Sequence, residues 1–198
     1  MEKRKIAVFD FDGTLTTKDT LTEFIIFTHG KFQCYMGLLV FLPLILLMKL
    51  HIIPNYKVKQ WLFAWFYKGM NHSEFKDCGE RFTDKIEPIV RTAVRNELAR
   101  FAEAGADIYV VSASIDEWVR PFCMRLGVKE VLATRVEVGA NGLLTGRFLT
   151  PNCYGQEKVN RLLAVEPDRE SYCLYAYGDS RGDREMLAYA DRGTKVKK

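Results

Sequence analysis

Three short runs in this chain share one design, and that design narrows the possible fold more than any other feature. "KIAVF" (5–9), "ADIYVVSAS" (106–114) and "SYCLYAYGDS" (171–180) are apolar, β-branched and aromatic, and each stops at acids or small polar residues. Such runs read as strands buried on both faces. Between them lie helix-period segments: "EPIVRTAVRNELARFAEAG" (87–105), which stops at Gly105, "IDEWVRPFCMRLG" (115–127) and "GQEKVNRLLAVE" (155–166). Strand–helix–strand repetition predicts an α/β fold with a Rossmann-like, mostly parallel sheet covered by helices on both faces. Ligands of such folds bind outside the carboxyl ends of the strands. Asp10, Asp12, Ser112, Ser114 and Asp179 all fall there. A β-hairpin is expected across 136–150, where Asn141-Gly142 suits a type I′ turn.

The acids at the first strand end raise a physical problem. Asp10 and Asp12 are two residues apart, so strand alternation places both carboxylates on one side, where they repel. A hard divalent cation resolves the repulsion, and Mg²⁺ takes one or two carboxylates with water and a phosphate oxygen completing its shell. Asp179, in "YGDSRGD" (177–183), supplies a third acid from a distant strand end. Gly13 frees the chain to turn out of the strand and leaves backbone N–H groups for an anion. A carboxylate beside a metal-bound phosphoryl group can act as a nucleophile, and a second can handle the proton. Asp-x-Asp-Gly in isolation is also a turn or a calcium-loop ligand set, Ser112 a turn serine and Lys158 a solvated lysine. The strand context and the second acidic strand end are what favour chemistry.

Composition sets the outer limits. With 198 residues, 48% hydrophobic and 27% charged, the chain is long enough for one domain plus an insertion. A formal charge of +4, from 29 basic against 25 acidic residues, is too mild to argue a nucleic-acid partner. Five cysteines with no CxxC pair fit free thiols in a reducing cytoplasm. The apolar residues from Ile6 are interrupted by Asp10, which argues against a secretory leader.

Four motifs carry a family resemblance. "DFDGTLT" (10–16) resembles the first motif of the haloacid dehalogenase superfamily, "VVSAS" (110–114) its second, Lys158 in "GQEKVNRL" its third, and "GDSRGDREML" (178–187) its fourth, in the same order. The resemblance covers nearly the whole chain and implies a haloacid-dehalogenase-like core at 1–17 and 81–198, with a helical cap at 18–80. It further implies a Mg²⁺-dependent phosphatase working through an aspartyl-phosphate. On that pattern Asp10 is the nucleophile and a metal ligand. Asp12 is the acid and base and offers its backbone carbonyl to the metal. Ser112 binds phosphoryl oxygens, Lys158 neutralises charge, Asp179 completes the metal site, and Asp183 supports it from behind or holds Lys158. Asp19, Gly13 and Ala113 are candidate substrate contacts, although Asp19 is equally placed to cap a helix. Where some relatives carry an Asn before the last acid, this chain has Gly182. A non-catalytic phosphate-binding protein would lack one of the five main residues, and all five are here. Transfer to an acceptor other than water shares every motif.

Substrate choice belongs to the insertion, which is similar to the cap of the phosphoserine-phosphatase-like subfamily. Cys34 to Met48 carries no charge and contains Pro43. At this length the run falls short of the roughly 20 residues of a straight membrane span. Two readings stay open: a buried cap helix, or a hairpin dipping into one leaflet. Lysines and aromatics follow, from Lys57 to Lys68, as at a membrane interface. Leu42–Leu44 and His72–Glu74 resemble stretches of the membrane-associated members, the phosphatidylglycerophosphatase C type. Residues 18–80 contain no arginine, the cap residue by which phosphoserine enzymes hold their substrate. The expected substrate is therefore a lipid phosphate, with a small soluble phosphomonoester as the alternative. The expected location is cytoplasmic, with peripheral membrane contact through 35–65.

Overall fold

The computed structural model describes residues 3–197. Among the described residues seven strands form: β1 (Arg4–Phe9), β2 (Asp107–Ile115), β3 (Glu130–Thr134), β4 (Val136–Val138), β5 (Leu144–Phe148), β6 (Tyr172–Gly178) and β7 (Arg192–Lys195). Five of them make one sheet in the order β3-β2-β1-β6-β7, with every pair parallel. Ile6 and Val8 of β1 face one layer, and Ala7 and Phe9 the other, all fully buried. That double burial is why the strand reads as an unbroken apolar run. The chain leaves β1 for β2 on one side and reaches β6 on the other, so the strand order reverses beside β1. A crevice opens at that point, at the carboxyl ends.

The described residues form seven α-helices, of which α4 to α7 flank the sheet: α1 (Thr20–Lys49), α2 (Asn55–Tyr67), α3 (His72–Ile86), α4 (Thr92–Glu103), α5 (Asp116–Met124), α6 (Gln156–Val165) and α7 (Arg184–Tyr189). Val94 and Leu98 of α4 and Trp118, Val119 and Phe122 of α5 cover one face, and Val159, Leu162 and Met186 of α6 and α7 the other. The helix expected over 87–105 is divided. Val90 pairs with Thr16, and Arg91 N–H donates to the Leu15 carbonyl at 2.7 Å, so only Thr92 onward is free to be helical. These bonds tie the two ends of the insertion together. The third cap helix, α3, runs past position 81 to Ile86.

The hairpin at 136–150 forms, but without the two-residue turn. Gly142 N–H donates to the Gly139 carbonyl at 2.9 Å, and Gly142 alone takes the left-handed conformation (φ +76°) that a type I′ turn requires at both central residues. The hairpin then buttresses the cap. Phe148 packs on Phe63 with ring centroids 5.5 Å apart, and Gly146 lies so close to α2 that a Cβ there would stand 2.8 Å from that of Ala64.

Cap and core meet in an aromatic cluster. The Phe24 ring lies 4.4 Å from Trp118 and 5.2 to 5.5 Å from Phe82, Tyr67 and Phe75, and the Trp118 indole N–H donates to Thr20 Oγ1 at 3.0 Å. Beyond this cluster α1 bends at Gly30 (φ +85°, ψ 162°), and its second part leaves the core. Of the uncharged run, only Cys34, Gly37 and Phe41 are buried, the last two against Phe66 and Trp65 of α2. The buried-helix reading of that run does not hold, because packing covers one side of it and many of its large apolar side chains stay exposed. Phe24→Ala should remove the centre of the joint and lower unfolding free energy by about 3–5 kcal/mol, as for other buried phenylalanines, measured by urea denaturation.

Candidate active site

The site is organised around one buried lysine. Lys158, in the first turn of α6, donates to Asp10 Oδ1 at 2.5 Å and to Asp183 Oδ1 at 2.6 Å, and is only 2% exposed. Burial alone would lower its pKa, but the two carboxylates more than reverse this and hold it charged, above its ordinary value. Asp10 sits just past β1, fixed by its N–H to the Tyr177 carbonyl (2.9 Å), and its Oδ2 accepts from Thr14 Oγ1 (3.0 Å). Burial raises the Asp10 pKa, with Lys158 opposing. Asp183 is held below the carboxylate range: burial works against this, but Lys158 and the Ser180 N–H and hydroxyl outweigh it.

Asp10, Asp179 and Asp183 each bring an oxygen within 4.8 Å of the others. Asp10 and Asp183 share the Lys158 ammonium, and together with Asp179 they gather buried carboxylate oxygens at a spacing that a divalent cation would bridge. An all-oxygen donor set fits Mg²⁺. Gly13 is part of the fit, since a Cβ there would lie 2.6 Å from Asp179 Oδ2, and its φ of +83° disfavours any other residue. Asp183 is the most deeply buried of the three, and its Oδ2 is held by both the N–H and the hydroxyl of Ser180, which suits it to a supporting place behind the other two.

Asp12 does not share the side of Asp10, as strand alternation predicts. The strand ends at Phe9, and 11–15 form a wide turn in which Asp12 is extended and Gly13 left-handed. Its carboxylate turns to the cap: Oδ1 accepts from Thr20 N–H (3.0 Å) and Oγ1 (2.6 Å), and Oδ2 from Ser114 Oγ (2.8 Å). Burial, together with the charge of Asp19, pushes its pKa up to about 7. The side chain therefore stands outside the carboxylate cluster, leaving only its backbone carbonyl as a candidate metal ligand.

Asp10, Asp12, Ser112, Ala113, Lys158 and Asp19 nevertheless line one cavity of about 310 Å³. Ser112 is buried, and its Oγ accepts from Ser114 N–H at 2.9 Å. The Ala113 carbonyl is already taken by Thr134 Oγ1 and Lys59 Nζ. Asp19 caps α1, accepting from Thr22 N–H and Oγ1, both at 2.9 Å. A Cβ at Gly182 would meet the Tyr154 ring at 2.4 Å, so an asparagine there needs that partly exposed ring to move aside.

Sequence reasoning missed three contributors. Lys59 of α2 reaches from the cap into the cavity and donates to the Ala113 carbonyl at 2.7 Å. Arg91 clamps the turn through the carbonyls of Gly13 (3.2 Å) and Thr14 (3.3 Å). Thr20 orients Asp12. None carries a local signal. Leu21, Ile45, Met48, Val58 and Leu62 form an apolar roof over the charged floor.

The family model for haloacid dehalogenase-like hydrolases matches residues 7–188. Protein CicA of Caulobacter vibrioides is 32% identical over 188 residues, covering 94% of this chain and 83% of that protein. A Bordetella pertussis Tohama I protein of unknown function superposes with a TM-score of 0.80 at 19% identity, over 94% of this chain and 86% of that one. A phosphoserine phosphatase solved as a phospho-aspartyl intermediate analogue gives 0.66 at 21% identity, over 98% and 86%.

The raised carboxyl at Asp12 predicts a stability profile. An acid whose folded pKa (about 7) exceeds its unfolded value (about 3.9) binds more protons folded, so stability is lost as pH rises between the two. In chelator, the urea midpoint should fall between about pH 5 and pH 7, and Asp12→Asn should flatten that slope.

Proposed function

Because the chain belongs to the haloacid dehalogenase-like hydrolases and is a phosphatase, we propose that it hydrolyses phosphomonoesters through a phospho-enzyme on Asp10, with Mg²⁺ as cofactor. The observation that carries this reading is the division between two carboxylates. Asp10 is ion-paired with Lys158, whereas Asp12 hangs from Thr20 and Ser114 with a pKa near 7. Environments that separate two acids in this way assign them different roles.

Asp10 attacks phosphorus, forming an Asp–O–P bond as the bond to the leaving oxygen breaks. Asp12, protonated, gives its proton to that oxygen. Water then attacks phosphorus, Asp12 takes its proton back, and the bond to Asp10 breaks to release inorganic phosphate. Lys158 stabilises charge spread over the phosphoryl oxygens, and the Ser112 hydroxyl donates to one of them. Mg²⁺, held by Asp10, Asp179 and the Asp12 carbonyl with Asp183 behind, would supply further neutralisation of the phosphoryl group. Asp10→Asn should abolish turnover of an aryl phosphate, and excess chelator should do the same to the wild type. A variant keeping a tenth of the rate, roughly a 1.4 kcal/mol effect, would rule out Asp10 as nucleophile.

For the substrate, the apolar roof favours an ester with a hydrophobic leaving group such as a lipid phosphate. A second reading rests on Lys59, the one cap cation lining the cavity, which suits a small anionic phosphomonoester of the kind the solved phosphoserine phosphatase handles. A screen settles the choice. The lipid reading expects phosphatidylglycerophosphate to exceed phosphoserine in kcat/KM, and the reverse order would replace it.

A further inference from the structure

We infer that the outer face of the α1–α2 hairpin is a docking surface for an anionic lipid bilayer, on which the protein lies without spanning it. The inference concerns the outside of the cap and is independent of the reaction proposed for the inside.

Exposed apolar side chains are concentrated here. Among the described residues, twelve of the seventeen large exposed hydrophobics fall between Phe32 and Trp65. Tyr35, Leu39, Leu42 and Leu46 recur at helical spacing along one side of α1, each 45–60% exposed. Phe32, Met36 and Val40 continue the surface to Trp65 of α2, with which they line one shallow hollow. Trp61 lies one turn before Trp65 and is also exposed. A contiguous apolar area of this kind marks an interaction site.

Charge selects the partner. From position 24 to 73 the chain has no aspartate or glutamate and five lysines: Lys31, Lys49, Lys57, Lys59 and Lys68. The net positive charge of the whole protein therefore resides in this segment. Lys59 turns inward to Ala113, and the other four are exposed at the ends of the two helices. Apolar side chains bordered by lysine and tryptophan are what an anionic headgroup layer receives. A second copy of the chain would set lysines against lysines with no acid between them.

The geometry also selects the orientation. As a whole, α1 (Thr20–Lys49) is long and apolar enough to cross a bilayer by length and composition alone, and beyond the bend at Gly30 it continues over residues 31–49, about 28 Å. Its other side is occupied, however. Gly37 packs against the Phe66 ring, and Ile45 and Met48 line the catalytic cavity. Lipid can reach one side only, so the helix lies in the interfacial plane. A second cavity, lined by Met48, Lys49, Ile52, Tyr56 and Arg181, shares Met48 and Tyr154 with the catalytic one, so the site opens at the edge of the proposed docking face.

The full-length protein is tested by co-sedimentation with phosphatidylcholine vesicles, with and without phosphatidylglycerol, at low and high salt. Binding should be at least about tenfold stronger to the anionic vesicles and should weaken with salt. Leu39→Ser with Leu46→Ser, and separately Lys31→Glu with Lys57→Glu, should each reduce binding about tenfold, with aryl phosphate turnover and melting temperature unchanged. Failure to sediment with anionic vesicles at low salt overturns the inference, as does equal, salt-insensitive binding to neutral ones. A concentration-dependent dimer in light scattering, lost in the Leu39→Ser and Leu46→Ser variant, would overturn it in favour of a second copy.

Discussion

A single buried ammonium, that of Lys158, holds together parts of the chain that are otherwise far apart. It joins Asp10, at the end of the central strand, to Asp183, beyond the end of β6, across 148 and 25 residues respectively. Removing one partner of such a pair leaves an uncompensated buried charge, a loss of about 3–5 kcal/mol in other proteins. The three strands and helices that supply these groups are therefore constrained to one relative position. Asp183 is fixed in turn by Ser180, and Gly155 N–H just before α6 donates to the Gly182 carbonyl at 2.9 Å. The anion-handling floor is thus built as one rigid unit on the sheet.

The cap is attached by a different force. Tyr67, Phe75, Phe82 and, from the core, Trp118 surround Phe24 in a cluster stabilised by apolar burial and ring geometry. Thr20 connects this cluster to the chemistry, because the same hydroxyl that accepts from the Trp118 indole donates to Asp12. Placement of the cap and orientation of Asp12 are consequently one event. Lys59 adds a second link from α2 to the carbonyl of Ala113, beside Ser112. The two faces of the α1–α2 hairpin have separate tasks: an inner face that roofs the cavity and an outer face that stays apolar and exposed.

Much of this was legible from the chain alone. Strand runs ending in acids and serines, separated by helix-period segments, specify a parallel sheet with a polar crevice at one edge, because double burial and crossover connections leave few other arrangements. Asp10, Ser112 and Asp179 stood out because strand ends are local features, whereas Lys158 and Asp183 were marked only by the resemblance of their motifs to those of the family. Tertiary structure decided what lies between elements. Asp12 turns away from Asp10 because the strand ends at Phe9, before either acid, and Thr20 and Ser114 offer it three donors. Lys59 and Arg91 enter the site from elements whose positions depend on packing, which no window of sequence encodes. The uncharged run from Cys34 to Met48 carried its apolarity in its sequence, but its form, one helix through Pro43 and not a hairpin, and its exposure were set by how much of the fold packs against it.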